Sequence, residues 1–258
     1  MTKSVLHNSM TSKVMSTMRK AMIFRNPLAY LMDKLLNRSP FEFVIAKLRN
    51  GLTFKIHAGN SDINTITEIF AAEGYKAFIS LVTPHSTGVD IGANYGAISV
   101  AMAKKGARVF AFEPNHYVSS LIEENARLNN VSVSVCNIGI AGKSGLYPMN
   151  FEQGAWGGAS IIFDELTAKK HEVFNIKCIA LDEVLEHCKI PKIDFLKMDC
   201  EGVEYEVLKS SDLHNIETMF VEYHEPRVSK KQIIALLRER GFTVKDFENM
   251  NSLLAQRQ

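Results

Sequence analysis

Val89-Asp90-Ile91-Gly92-Ala93-Asn94-Tyr95-Gly96 runs from an apolar strand through a glycine-bounded turn into the small-residue stretch Ala97 to Lys104. The spacing predicts a strand over Gly88 to Ile91 and a helix over Ala97 to Lys104. A strand that delivers the chain to a helix N-terminus leaves unpaired N–H groups and the positive end of a helix dipole facing outward, which makes a cofactor pocket. Gly92 is expected to let the backbone approach that ligand, and Gly96 to let the helix sit tightly on the strand.

Downstream, strand and helix patterns alternate. Strands are predicted over Arg108 to Phe112, Val131 to Ile138, Lys192 to Met198, Thr218 to Tyr223 and Phe242 to Phe247. Between them lie a helix capped by Asn115 and running to Asn129, short helices over Leu181 to His187 and Glu204 to Lys209, and a helix capped by Ser229 that ends at Gly241. Ser252 to Ala255 follows a short turn and is expected as a seventh, antiparallel strand. Such alternation means an α/β fold with a mostly parallel seven-stranded sheet covered by helices on both faces. Residues 139–180 break the rhythm with Gly142, Gly145, Gly154, Gly157 and Gly158, and read as antiparallel excursions and loops.

Upstream, Phe41 to Ile45 and Thr53 to Ile56 flank Arg49-Asn50-Gly51, a strong hairpin signal. Ser61 or Asp62 is expected to cap a helix over Ile63 to Ala72, ended by Gly74. The chain thus divides into an N-terminal helical extension (1–40), a hairpin-and-helix cover (41–86) and a cofactor-binding domain (87–258). A basic amphipathic helix over Met10 to Leu36 carries Met15, Met18, Met22, Ile23 and Leu31 on one face. That face is expected to dock on the domain or on a second copy of the chain, a homodimer, with a membrane surface as the alternative.

Bulk properties narrow the classes. The chain has 258 residues, 46% of them apolar and 22% charged, enough for a sizeable core. A net charge of +2 is too mild to argue for nucleic acid. Cys136, Cys178, Cys188 and Cys200 form no C-x-x-C pair, which suits reduced thiols in a cytoplasmic protein. No apolar run of roughly eighteen residues offers a transmembrane helix.

Ligands of open α/β sheets bind at the carboxyl ends of the strands. The second strand ends in Phe112-Glu113-Pro114, about twenty residues after the turn, where a carboxylate can accept hydrogen bonds from both hydroxyls of a ribose. The dinucleotide fingerprint G-x-G-x-x-G is absent, because the turn is Gly92-Ala93-Asn94-Tyr95-Gly96; this disfavours an NAD oxidoreductase. The loop instead resembles the S-adenosylmethionine loop of class I methyltransferases. The third strand ends in Asn137-Ile138-Gly139, where an amide could meet an adenine edge. Phe195-Leu196-Lys197-Met198-Asp199-Cys200-Glu201-Gly202-Val203-Glu204 ends the fourth strand, and Phe220-Val221-Glu222-Tyr223-His224-Glu225-Pro226 the fifth. Together with D-I-G-A-N, F-E-P and the loop Gly157-Gly158-Ala159-Ser160, these stretches resemble the FkbM family of S-adenosylmethionine-dependent methyltransferases, K-x-D-x-E-G-x-E being the most specific part. The resemblance spans roughly Phe41 to Ala255; Met198 and Cys200 stand where apolar residues are usual, and they are expected to alter packing only.

The resemblance implies a Rossmann-like class I methyltransferase fold, S-adenosylmethionine as cofactor with S-adenosylhomocysteine as product, and most commonly transfer to a hydroxyl of a sugar or other small metabolite. Cofactor contacts are expected from Asp90, Gly92, Asn94, Gly96, Glu113, Pro114, Asn137, Ile138 and Asp199. Catalytic candidates are Asp199, Glu201, Glu222 and His224, with His224 as general base because an imidazole titrates near neutrality. Metal-free chemistry is expected; a divalent metal, if used, would sit on Asp199, Glu222 and His224. Lys197 is expected in an ion pair with Asp199 or Glu201. Trp156 either closes over the acceptor or packs on the sheet. The resemblance suggests that His57, Glu68 and Tyr75 line the cleft. The rivals are N-methyl transfer and a binding module without turnover.

Overall fold

A computed structural model describes residues 18, 20–28, 30, 39, 42–58, 62–152, 155–160 and 172–258. Its centre is a seven-stranded sheet in the order β12-β13-β11-β10-β3-β4-β5. The strands are β3 (Thr87–Ile91), β4 (Arg108–Phe112), β5 (Ser134–Cys136), β10 (Ile193–Met198), β11 (Ile216–Glu222), β12 (Phe242–Phe247) and β13 (Ser252–Arg257). β10, β11, β3, β4 and β5 pair in parallel, and β13 runs antiparallel to both β11 and β12, as its short connection requires. Register sets Met198 beside Ile91 and Ile91 beside Phe112, so three strand tips end at one level.

Side-chain alternation splits the apolar residues into two layers. Phe195, Phe220, Leu254 and Val109 pack on one face with α3 (Ala97–Lys104) and α4 (His116–Leu128). Leu196, Val221, Leu253 and Phe110 pack on the other with α5 (Val184–Cys188), α6 (Glu204–Ser210) and α7 (Lys230–Glu239). This is the period-two pattern of strands buried on both sides. Asn115 caps α4 through its side-chain oxygen, which accepts from the Tyr117 N–H. Ser229 precedes α7 but makes no side-chain cap bond, contrary to expectation.

The hairpin is present as β1 (Phe43–Lys47) and β2 (Thr53–His57). Asn125 of α4 and Asn129, which caps its C-terminus, hold it by imitating a neighbouring strand. Asn125 Oδ1 accepts from Lys55 N at 2.7 Å while its Nδ2 donates to Lys55 O and to Tyr95 O. Asn129 does the same for Thr53 N and O. The helix after the hairpin is α1 (Asp62–Ala71), with the Asp62 carboxylate turned back to accept from the His57 N–H.

Several expectations need correction. Gly74 does not end a helix: the break falls at Ala72, whose backbone is extended, and Gly74 lies in the first turn of α2 (Glu73–Leu81). Phe78 of α2 packs against Phe195 and Phe220, so this helix fills part of one sheet face. The strand predicted to Ile138 stops at Cys136, and the chain enters a second sheet of order β6-β9-β7-β8. That sheet comprises β6 (Gly139–Ala141), β7 (Gly145–Glu152), β8 (Ala155–Ser160) and β9 (Glu172–Ala180). Gly157 to Ser160, read as loop, are strand β8, because backbone pairing with β7 supplies what side-chain propensity does not. The helix predicted from Leu181 opens as a 3₁₀ turn over Leu181–Glu183.

Near the N-terminus, Phe24 bridges to Leu48 and stacks on Tyr30. Met18 and Met22, expected on a docking face, are exposed, while Ala21, Phe24 and Tyr30 are buried. The rest of the Met10 to Leu36 helix, Ser61, Gly154 and the side chain of Trp156 lie outside the described residues. Among the described residues no helix is long and apolar enough to cross a membrane.

Candidate active site

The Gly92 turn passes directly against the tip of β10. Gly92 has φ +68°, and a Cβ there would lie 1.9 Å from the carbonyl oxygen of Asp199, so only glycine fits. Gly96 has φ +82° and opens α3. A Cβ at Gly96 would meet Ile122 of α4 at 2.8 Å, so its closeness serves packing on α4, not on the strand as expected. Asn94 also takes a positive φ, which turns its N–H toward Glu113.

Glu113 is buried, with each carboxylate oxygen accepting one backbone N–H: Asn94 at 2.8 Å and Asn115 at 2.8 Å. Burial pushes its carboxyl up to about 7 in spite of those two donors. Each oxygen keeps a second lone pair, which suits a ligand's hydroxyls. Glu113 and Pro114 line a cleft of about 640 Å³ with Ile91, Gly92, Asn94 and Gly139. Asn137 is not in its wall. The Asn137 amide donates to the carbonyls of Glu113 and Pro114 and to Ser119 Oγ, and so fastens the loop that carries Glu113. Gly139 and Ile140, not Ile138, complete the wall there.

A second chamber of about 600 Å³ adjoins the cleft and shares Gly92, Asn94, Asp199 and Glu201 with it. Glu68, Tyr75, Asp90, Lys197 and Glu222 are among its other polar lining residues. Asp90 is almost fully buried; Oδ2 accepts from Ser99 Oγ at 2.6 Å, while Oδ1 has no hydrogen-bond partner. Burial raises its carboxyl above the usual range, partly opposed by Lys197 and Ser99. The Lys197 ammonium donates to Gly92 O at 2.8 Å and Ile91 O at 3.3 Å, and lies 3.5 Å from Asp199 Oδ2 and 3.7 Å from Asp90 Oδ1. Burial would lower it, but the carboxylates of Asp199, Asp90 and Glu222 outweigh burial and hold it above its ordinary value. Lys197 is thus a buried counter-ion that also ties the glycine turn to β10 (the predicted ion pair, with Asp199).

The acids of D-x-E-G-x-E separate by position. Asp199 and Glu201 face the chamber, whereas Glu204 is fully buried. Oε1 of Glu204 accepts from Cys200 N, Gly202 N and the His224 ring at Nδ1, the last at 2.9 Å. His224 Nε2 then faces Asp199 Oδ1 at 3.7 Å and Glu201 Oε2 at 3.5 Å. Burial would lower the imidazole, but the Glu204 bond and the charges of Asp199 and Glu201 push it up to about 9. His224 therefore carries a proton at neutral pH, unlike the near-neutral base expected, because three carboxylates surround it. Burial and Asp199 push Glu201 up to about 7, and the same two causes take Glu222 to about 7 against the hydroxyl of Tyr75, which donates to Oε2 of Glu222. Glu222 and His224 both lie near Asp199, yet they divide between two networks, one through Tyr75 and one through Glu204.

Of the cover residues, Glu68 and Tyr75 line the chamber; His57 does not, being buried with its Nδ1 3.0 Å from Asp62. The pairing of Tyr75 with Glu222 and the grip of Glu204 on His224 were not anticipated from the sequence, although Tyr75 was expected in the cleft and Glu204 belongs to the K-x-D-x-E-G-x-E stretch.

Residues 90–244 match the family described as Methyltransferase FkbM domain. Methyltransferase sdnD of Sordaria araneosa is 28% identical over 189 residues, covering 60% of this chain and 73% of that protein. Hexuronic acid methyltransferase AglP of Haloferax volcanii is 32% identical over 154 residues, 58% of this chain and 60% of that protein. The 31-O-demethyl-FK506 methyltransferase FkbM of Streptomyces tacrolimicus is 24% identical over 230 residues, 77% of this chain and 88% of that protein.

Proposed function

The chain belongs to the FkbM family of S-adenosylmethionine-dependent methyltransferases, and on that premise we propose that it methylates a hydroxyl oxygen of a sugar or other small metabolite. The observation that carries this reading is the junction of a cleft bounded by Glu113 with a carboxylate-lined chamber reached past Asp199 and Glu201. Relatives named for a hexuronic acid and for 31-O-demethyl-FK506 support an oxygen acceptor.

The residues suit the methyl donor. Gly92 lets the turn close on the tip of β10 and lines both cleft and chamber, Glu113 offers two acceptor oxygens for ribose hydroxyls, and Asn94 Oδ1 and Asp90 Oδ1 are buried polar atoms without hydrogen-bond partners. When bound, S-adenosylmethionine would supply an electrophilic methyl carbon to the acceptor oxygen, with the carbon–sulfur electron pair retained by the departing S-adenosylhomocysteine. Asp199 and Glu201, shared by cleft and chamber, flank the transfer point and orient the acceptor. Glu222 takes the hydroxyl proton, its carboxylate held in place by Tyr75. His224, fixed by Glu204, contributes positive charge beside Asp199 and Glu201.

The test is transfer of isotopically labelled methyl from S-adenosylmethionine to a panel of neutral and acidic glycosides and of amines. An ether product supports the reading, and Glu222→Gln should then lower kcat while leaving donor affinity unchanged. Label found only on amine nitrogen would overturn it.

A further inference from the structure

Asp199, Glu201 and His224 each offer one ligand atom at the edge shared by cleft and chamber, and these atoms all lie within 4.8 Å of one another. The imidazole nitrogen stands 3.5 Å from Glu201 Oε2 and 3.7 Å from Asp199 Oδ1, at or beyond the reach of a hydrogen bond. Octahedral coordination at roughly 2.1 Å puts neighbouring donors about 3 Å apart, so a small inward movement would close the set on a cation.

Two independent features favour that occupant. Asp199 Oδ1 is shut off from solvent and has no hydrogen-bond partner, the His224 ring at 3.7 Å being too far to donate to it. The histidine ring is aimed rather than loose: Nδ1 is hydrogen-bonded at 2.9 Å to the fully buried Glu204, which is itself locked by the N–H groups of Cys200 and Gly202. A carboxylate on the far nitrogen of a ligating histidine is the usual means of fixing its tautomer and direction. We infer that this edge binds one divalent cation of the Mg²⁺ or Mn²⁺ class through Asp199, Glu201 and His224, with Glu204 as a positioning residue.

The ligands differ from the set anticipated in sequence, because Glu222 is turned to Tyr75 and Glu201 stands in its place. Two carboxylates and one imidazole suit a hard ion that accepts one nitrogen donor. A ligating imidazole nitrogen must be free of its proton, so cation affinity should rise with pH. This inference rests on the reading of the chamber as the place where an acceptor oxygen meets the donor; there the ion would polarise that oxygen.

The experiment is titration of chelator-treated, full-length protein with Mn²⁺, followed by electron paramagnetic resonance, with calorimetry of S-adenosylhomocysteine in parallel. One Mn²⁺ per chain is expected. Glu201→Gln and His224→Gln should each weaken it at least tenfold, and Glu204→Gln about tenfold or more through the misaimed ring. Absence of Mn²⁺ binding by wild-type protein that takes up S-adenosylhomocysteine would overturn the cation site and leave the methyltransferase reading standing. Equal Mn²⁺ affinity in wild type and in a folded Glu201→Gln or His224→Gln variant would overturn it too. Failure to bind S-adenosylhomocysteine at all would instead remove the reading on which it rests.

Discussion

Glu113→Gln is the perturbation whose consequences are worked out most fully by the structure. Both carboxylate oxygens of Glu113 are engaged by backbone N–H groups, from Asn94 and Asn115, and their remaining lone pairs serve the ribose. A glutamine amide must turn its NH₂ toward one of those N–H donors, so one donor loses its partner and the charge disappears. A hydrogen bond to a charged group contributes about 1.5–3 kcal/mol, and two weakened ribose bonds should raise the donor Kd about 100-fold. The pH dependence carries a second signature. Burial lifts the Glu113 carboxyl to about 7, above the 4.5 of an exposed glutamate, so the folded protein holds a proton that the unfolded chain loses. That contribution to stability is fully present below pH 4.5 and lost as pH rises through about 7, on the order of 3 kcal/mol at most. Ribose binding favours the ionised form, so donor affinity should run the other way, falling up to tenfold per unit below about pH 7. Calorimetry with S-adenosylhomocysteine from pH 5.5 to 8.5 on wild type and variant reads both effects. A folded Glu113→Gln protein with Kd within threefold of wild type, or a wild-type affinity flat across that range, would refute the reasoning.

Three further outcomes follow from particular contacts. Gly92→Ala puts a methyl group 1.9 Å from Asp199 O, so the tip of β10 must move; unfolding in urea should show a loss of about 2 kcal/mol or more, and donor binding should be abolished. Tyr75→Phe removes the donor to Glu222 and should lower kcat about tenfold, a barrier increase of about 1.4 kcal/mol, with donor Kd unchanged by calorimetry. Asn125→Ala cuts three hydrogen bonds to Lys55 and Tyr95, and thermal or urea unfolding should register about 3 kcal/mol of lost stability while the folded fraction still binds S-adenosylhomocysteine.

The parallel sheet was legible because its signals are local. Arg108 to Phe112 and Ala97 to Lys104 fall where apolar runs and small residues put them, and Asn115 caps its helix as its type suggests. The break at Ala72 was not legible, since Gly74 two residues later carries the stronger stop signal. Strand β8 was hidden for the opposite reason: Gly157 and Gly158 read as loop until β7 provides a pairing partner. Asn125 and Asn129 look like ordinary helix residues, and their grip on β2 depends on contacts 70 and 76 positions away.

At the site, residue types were easier to read than their states. Asp90, Gly92, Asn94, Glu113, Asp199 and Glu201 could be singled out from strand ends read together with the family resemblance, and all line the cleft or chamber. The proton on His224 could not be read, because it depends on Glu204, twenty positions earlier, and on the carboxylates of Asp199 and Glu201. The pairing of Tyr75 with Glu222 spans 147 positions and left no trace in sequence spacing. Met198 behaves as a packing change, fully buried in one apolar layer of the sheet, whereas Cys200 packs partly into that layer and also lines the cleft, contrary to the expectation of packing alone.

A crystal structure with S-adenosylhomocysteine bound tests the central claim most directly. Ribose hydroxyls are expected within hydrogen-bond distance of both Glu113 oxygens, and the sulfur at the junction of cleft and chamber facing Asp199 and Glu201. A ribose away from Glu113, or a sulfur directed away from the chamber that holds Glu222, would contradict it.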